Sequence, residues 1–120
     1  MNIFVFGSNQ AGRHGKGAAL YAKQHHGAIY GQGEGIQGRS YGIPTKDHKI
    51  KTLPLEQIQK HIHTFLIFAK NNPQMTFNVT RIGCGLAGYK EEQIAPFFTA
   101  ASTLPNVRLP QTFIDVINKH

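Results

Sequence analysis

Arg81-Ile82-Gly83-Cys84-Gly85-Leu86-Ala87-Gly88-Tyr89 decides how the rest of the chain is read. Before it, Met75 to Thr80 (Met-Thr-Phe-Asn-Val-Thr) carries the β-branched and aromatic residues of a buried strand. After it, Lys90-Glu91-Glu92-Gln93 places two acids in what reads as the first turn of a helix. A strand that passes through three glycines into a helix start leaves backbone N–H groups beside the positive end of a helix dipole. Such a turn holds anions, phosphates above all.

A second unit of the same kind opens the chain. Asn2-Ile3-Phe4-Val5-Phe6 is a near-continuous apolar run, as expected of a strand covered on both faces. It leads into Gly7-Ser8-Asn9-Gln10-Ala11-Gly12-Arg13-His14-Gly15-Lys16-Gly17, and then into the helix-forming Ala18 to Lys23, with Gly27 suited to the C′ position. Ten of the thirteen glycines fall between Gly7 and Gly42 and three between Gly83 and Gly88. Two dense zones mark two loops where backbone must come close to something. Two such loops at the carboxyl ends of strands are where open α/β sheets bind ligands.

The familiar phosphate motifs fail in detail. Gly15-Lys16 is followed by Gly17 where a Walker A loop needs Ser or Thr, and Gln10 stands where its first glycine belongs. Gly33, Gly35 and Gly38 fit G-x-G-x-x-G, but Tyr41-Gly42-Ile43-Pro44 follows as a strand, not a helix. Gly83, Gly85 and Gly88 fit it in better context, yet the next strand, Asn106-Val107-Arg108-Leu109, ends in Pro110-Gln111 without the acid that holds a ribose. The Gly31–Ser40 stretch reads as a flap over a ligand or as a mobile surface loop, with Ala28-Ile29-Tyr30 as a short strand before it.

The remaining elements follow from periodicity. Leu55, Ile58, Ile62, Leu66 and Ala69, with Phe65 beside them, recur at helical spacing; Ile67 and Phe68 widen that face, and Asn71-Asn72-Pro73 stops the helix. Ile94, Phe97, Phe98 and Ala101 give a second apolar helix face, with Pro96 near its first turns or at a kink. Phe113 to Ile117 closes the chain as a short helix or strand.

Composition bounds the rest. The 120 residues, 40% of them hydrophobic, suit a single domain over residues 1–120. No apolar run approaches a membrane span, and the N-terminus lacks an export signal. Cys84 is the only cysteine, which fits a reducing compartment, so a cytoplasmic location is expected. Thirteen Lys and Arg against six Asp and Glu give a formal charge of +7, favouring phosphate-bearing partners. His61 and His63 stand about 200° apart around their helix, and His14, His25, His26, His48 and His120 show no ligand spacing, so no metal and no cofactor are expected.

Arg81-Ile82-Gly83-Cys84-Gly85-Leu86 resembles the second phosphate loop of macrodomains. It is most similar to the terminal ADP-ribose protein glycohydrolase type, whose motif reads Arg-Ile-Gly-Cys-Gly-Leu-Asp. Asn9 to Gly17 is similar to that family's first loop, and Ile43-Pro44-Thr45-Lys46 to the strand end bearing its catalytic lysine. The resemblance implies a three-layer α/β/α fold with a central mixed sheet and a cleft for ADP-ribose or an ADP-ribosylated macromolecule. In it the 83–88 loop embraces the pyrophosphate and the Asn9–Gly17 loop the distal ribose. Ligand contacts would then come from Gly7, Ser8, Asn9, Gly12, Gly15, Lys16, Gly17, Arg81, Gly83, Cys84, Gly85, Leu86, Ala87, Gly88 and Tyr89. Lys46 stands where the family's lysine attacks the ribose anomeric carbon, and Asn9 where a residue orients the ribose or a water. The family's assisting aspartate falls at Ala87, which has no proton to give or take. Asp47 or Glu34 would replace it only within about 3 Å of the reacting atoms.

Single residues keep two readings. Arg81 steadies a phosphate or the loop, or forms a surface ion pair; Cys84 packs behind glycines rather than acting as a nucleophile; Tyr89 stacks on a ligand or fills core. At the level of the whole chain, a reader of ADP-ribose and a hydrolase that removes it both stand. A nucleic-acid binder is the third reading, motivated by Arg13, Lys16, Arg39, Lys46, Lys49 and Lys51.

Overall fold

A five-stranded sheet organises the chain, in the spatial order Gly35–Gln37 (β2), Ser40–Lys46 (β3), Asn2–Asn9 (β1), Thr76–Val79 (β4) and Val107–Arg108 (β5). The computed structural model describes residues 1–119; His120 and its place in the histidine reading lie outside the described residues. β1 (Asn2–Asn9) is central, parallel to β3 (Ser40–Lys46) on one side and to β4 (Thr76–Val79) on the other. β5 (Val107–Arg108) adds in parallel beyond β4, and β2 (Gly35–Gln37) pairs antiparallel with β3, so the sheet is mixed.

Alternation along β1 explains why helices pack on both faces. Ile3 and Val5 point into the larger core, with Tyr41 and Ile43 of β3 and Phe77 and Val79 of β4. Phe4 and Phe6 point to the opposite face, against Ala19 and Ala22 of α1 (Gly17–His25). α2 (Leu55–Lys70) covers the larger core with Ile58, Ile62, Phe65, Leu66 and Ala69, the stripe expected from its spacing. Each such fully buried Ile or Phe contributes about 2–3 kcal/mol of transfer free energy. Ile67 is not part of that stripe; it is half-exposed, because its angular position takes it past the edge of the sheet-facing side.

Three local expectations are corrected. β1 runs three residues further than its apolar run, through Gly7, Ser8 and Asn9, because β3 continues to pair with it. Ala28 to Tyr30 is irregular and enters a turn at Tyr30 rather than forming a strand, since the Ile29 N–H bonds Gln37 and the Ala28 N–H bonds the end of α1. The helix after the second loop is α-helical only in α3 (Glu91–Ile94) and continues as a 3₁₀ segment, Ala95–Thr103. Pro96 has no N–H to bond the carbonyl four residues back, so the α pattern gives way there. The terminal element is a helix, α4 (Gln111–Asn118), with Phe113 and Val116 buried. Gly27 has φ 75° just past α1, as its C′ reading requires.

Candidate functional site

The carboxyl ends of β1 and β3, the start of α1 and the loop after β4 enclose a cleft of about 790 Å³. Of the residues expected there, Gly7, Ser8, Asn9, Gly15, Lys16, Gly17, Lys46, Arg81, Gly83, Gly85, Leu86 and Ala87 line it. The two glycine loops meet directly: a Cβ on Gly17 would stand 3.2 Å from Leu86 Cδ1. Tyr30 and Ile50, which sequence reasoning missed, complete the wall.

The first loop is held by buried polar groups behind the cleft. Asn9 Oδ1 accepts from the Arg13 N–H at 2.9 Å, and Asn9 Nδ2 donates to the Arg13 carbonyl at 2.8 Å. With both ends of its carboxamide engaged, Asn9 shapes the loop that presents Arg13. Gly12 does not line the cleft. It has φ +71°, donates to the Asn9 carbonyl at 3.0 Å, accepts from Gly31 at 2.8 Å and packs directly on the Gly31–Gln32 backbone. His14 is fully buried edge-on to Phe6, with Nε2 2.9 Å from the Gln32 carbonyl and 3.2 Å from Gln37 Oε1. Two oxygen acceptors fix the proton on Nε2. Gln37 Oε1 also accepts from the Ile29 N–H, while its Nε2 donates to the Gln32 carbonyl. Gly31–Ser40 does not line the cleft and instead packs as a brace behind the first loop. Its legibility in sequence was low because His14 and Gln37 are polar residues whose burial depends on each other.

The second loop is tied to the connection after β3. Thr52 Oγ1 donates to the Ala87 carbonyl at 3.0 Å, and Tyr89 OH to the Leu53 carbonyl at 2.7 Å. Tyr89 thus fills core beneath the loop and does not line the cleft. Gly88 serves a turn, with φ 88° and its N–H on the Gly85 carbonyl at 3.0 Å. Cys84 also stays out of the cleft, half-buried with its Sγ 3.6 Å from the Ile82 carbonyl. Burial first, then the Glu91 carboxylate, pushes its thiol from near 9.0 up to about 11. Alkylation by iodoacetamide at pH 8 is expected about 10- to 100-fold slower than for a free thiol, climbing with pH until about pH 11. A free-thiol rate at pH 8 would contradict that placement. The same shift makes Cys84 favour the fold below its ordinary pKa; the contribution is lost as pH rises from about 9 to 11, where the unfolded thiol ionises first.

The turn Asp47–Lys51 projects Ile50 into the cleft wall. Asp47 Oδ1 accepts from the Lys49 and Lys51 N–H groups at 2.8 and 3.0 Å, and the Lys51 amide leads in holding this carboxyl below its usual range. Asp47 accordingly caps its own turn and does not line the cleft. Ile50 adopts φ +64°, a strained conformation for a β-branched residue. Ile50→Gly is expected to raise stability by about 0.5–1 kcal/mol in urea unfolding, strain relief exceeding the entropy cost of glycine. A lower midpoint would mean that side-chain packing outweighs the strain.

Electrostatics give the cleft its character. Arg13, Lys16, Lys46 and Arg81 line it, and no Asp or Glu does. Glu91 pairs with Arg81 through both Nε and Nη2, raising the guanidinium's pKa, and Glu34 pairs with His61 Nδ1 at 2.6 Å. Among the described residues, Arg13, Lys16 and Lys46 are in no ion pair. Lys16, Gly17, Ala18 and Ala19 bring the start of α1 to the cleft, and no side chain caps it. The helix dipole expected at the 83–88 loop is thus supplied by α1; α3 is a single turn, begins at Glu91 and lies off the cleft. The hydroxyls point inward to the scaffold: Ser8 Oγ to the Gly33 carbonyl, Thr45 Oγ1 to Ser8 at 3.3 Å, Thr80 Oγ1 to Val5 at 2.7 Å.

The fold and site define an α/β domain with a cation-rich, carboxylate-free cleft at the carboxyl end of its sheet. Compared with family models, curated proteins and solved structures, the chain matches none of them. No helix among the described residues is long and apolar enough to cross a membrane.

Proposed function

We propose that the chain is a macrodomain-like module, three-layered α/β/α, that binds ADP-ribose or a related nucleoside diphosphate, free or on a macromolecule, without turning it over. The observation that carries this reading is the company at one cleft of Arg13, Lys16 and Lys46, glycine backbone and the uncapped start of α1, with no carboxylate to repel a diphosphate. A volume of about 790 Å³ lies within the range of small-ligand sites.

Binding is favoured over hydrolysis because the cleft holds no acid to move a proton. Asp47 and Glu34 are engaged elsewhere, Ala87 lines the wall without a proton, and Asn9 is occupied by Arg13. Lys46 is the one remaining nucleophile of the expected set, at the end of β3 beside Asn9.

Titration calorimetry is expected to show ADP-ribose and ADP binding, and adenosine at least about 10-fold weaker, because it lacks the charge-assisted bonds of the diphosphate. No heat with any of them, or equal affinity for adenosine and ADP, would overturn the reading. Incubation with ADP-ribosylated protein and DNA separates reader from hydrolase: release of ADP-ribose by the native chain but not by Lys46→Ala would establish turnover.

A further inference from the structure

The side of the sheet that carries α1 is only partly covered. α1 packs on β1, and the strands beyond it turn polar residues outward: Thr76 and Asn78 on β4, Arg108 on β5. Register places Phe4, Asn78 and Arg108 in one row across three parallel strands, with side chains on one face. Next to that row lies a groove of about 310 Å³, lined by Asn2, Phe4, His25, His26, Arg39 and Asn78. It lies toward the amino ends of the strands, away from the cleft.

The groove combines stacking surface with positive charge. His26 lies flat on Phe4, ring centres 4.4 Å apart and planes within 8°. Tyr21, half-exposed, leans on both rings and on His25 at 4.6 to 5.4 Å, which extends the aromatic surface outward to solvent. Burial, with help from His25 and Arg39, lowers the pKa of His26, which favours the neutral ring in its stack. Arg39 and Arg108 are exposed and, among the described residues, in no ion pair, and no acid lines the groove. Asn2 and Asn78 place carboxamides, each both donor and acceptor, at the groove.

We propose that this face is a second binding site, for single-stranded nucleic acid, seating one base in the groove beside the His26–Phe4 stack and its phosphates on Arg39 and Arg108. The chemistry is that of stacking platforms: aromatic rings take the base, amides reach its edge and guanidinium groups hold the backbone. A groove of this size takes one unpaired base, which a duplex does not offer. The charge complementarity is specific to the face, since the cations of the cleft lie at the other end of β1.

Fluorescence anisotropy with labelled single strands of about 12 nucleotides tests the proposal. The native chain is expected to bind single strands more tightly than a duplex of the same length. Tyr21→Ala with His25→Ala should weaken strand binding about 10-fold, and Arg39→Ala should flatten its salt dependence by about 0.7 in the logarithmic slope. Asn78→Asp, which sets a negative charge at the groove, should give a comparable loss through a second route. Lys16→Glu, in the cleft, should leave strand binding nearly unchanged, and ADP-ribose heat should survive the groove variants. Circular dichroism melting identifies any variant that fails to fold. Equal affinity for duplex, unchanged binding by folded groove variants, or loss of strand binding in Lys16→Glu would each overturn it. So would sedimentation showing that the face joins two copies of the chain and that Tyr21→Ala separates them.

Discussion

Gly12→Ala is expected to lower stability by about 3 kcal/mol, a fall in melting temperature of roughly 10–15 °C, and to weaken nucleotide binding with it. A Cβ at this φ of +71° stands in the left-handed region and would fall 2.8 Å from Gly31 Cα and closer still to the neighbouring carbonyl carbon. The obstacle is backbone, held in turn by Gln32 and Gln37, so no side chain can swing aside. Gly15→Ala is the control. Nothing lies within 4 Å of its Cβ position and its φ is not in the left-handed region, so the change should stay within about 0.5 kcal/mol. Differential scanning calorimetry of the two variants decides it; similar melting temperatures would show that the Gly12–Gly31 contact does not hold the loop.

Lys16→Glu with Lys46→Glu is expected to reduce affinity for ADP-ribose by at least about 100-fold, with the fold intact. Each substitution removes a cation that has no acid partner among the described residues and adds repulsion in a cleft that holds no other carboxylate. Arg81→Ala should matter far less, because Glu91 already occupies that guanidinium. Calorimetry on the double variant and on Arg81→Ala separates the roles. A large loss in Arg81→Ala beside a small one in the lysine pair would mean that the ligand takes Arg81 from Glu91 and sits against the second loop alone.

Much of the scaffold was legible because periodicity and punctuation act locally. The α2 stripe, the strand at Met75 to Thr80 and Gly27 beyond α1 follow from spacing and from the backbone freedom of glycine. The continuation of β1 through Gly7 to Asn9 was not legible, since glycine, serine and asparagine favour turns on their own, and only pairing with β3 keeps them extended. The helix after the second loop lost its α geometry to Pro96 for the same kind of reason: apolar spacing marks a face, but hydrogen bonding sets the helix type.

For the site, the sequence by itself determined that two glycine-rich loops of a strongly basic chain stand at strand ends, and that position 87 carries a side chain with no proton to give or take. Charge and glycine density are properties of residues and need no partner to be known. The tertiary structure alone decided which side chains share the cleft. It put Lys16 and Lys46 together with α1, turned Asp47 back onto its own turn, and spent Glu91 on Arg81. It likewise decided that, of the stretch from Arg81 to Tyr89, only Arg81, Gly83, Gly85, Leu86 and Ala87 wall the cleft, and that α1 brings the helix dipole. Such outcomes turn on hydrogen bonds and burial between residues far apart in the chain, and those energies do not exist until the fold brings the partners within reach.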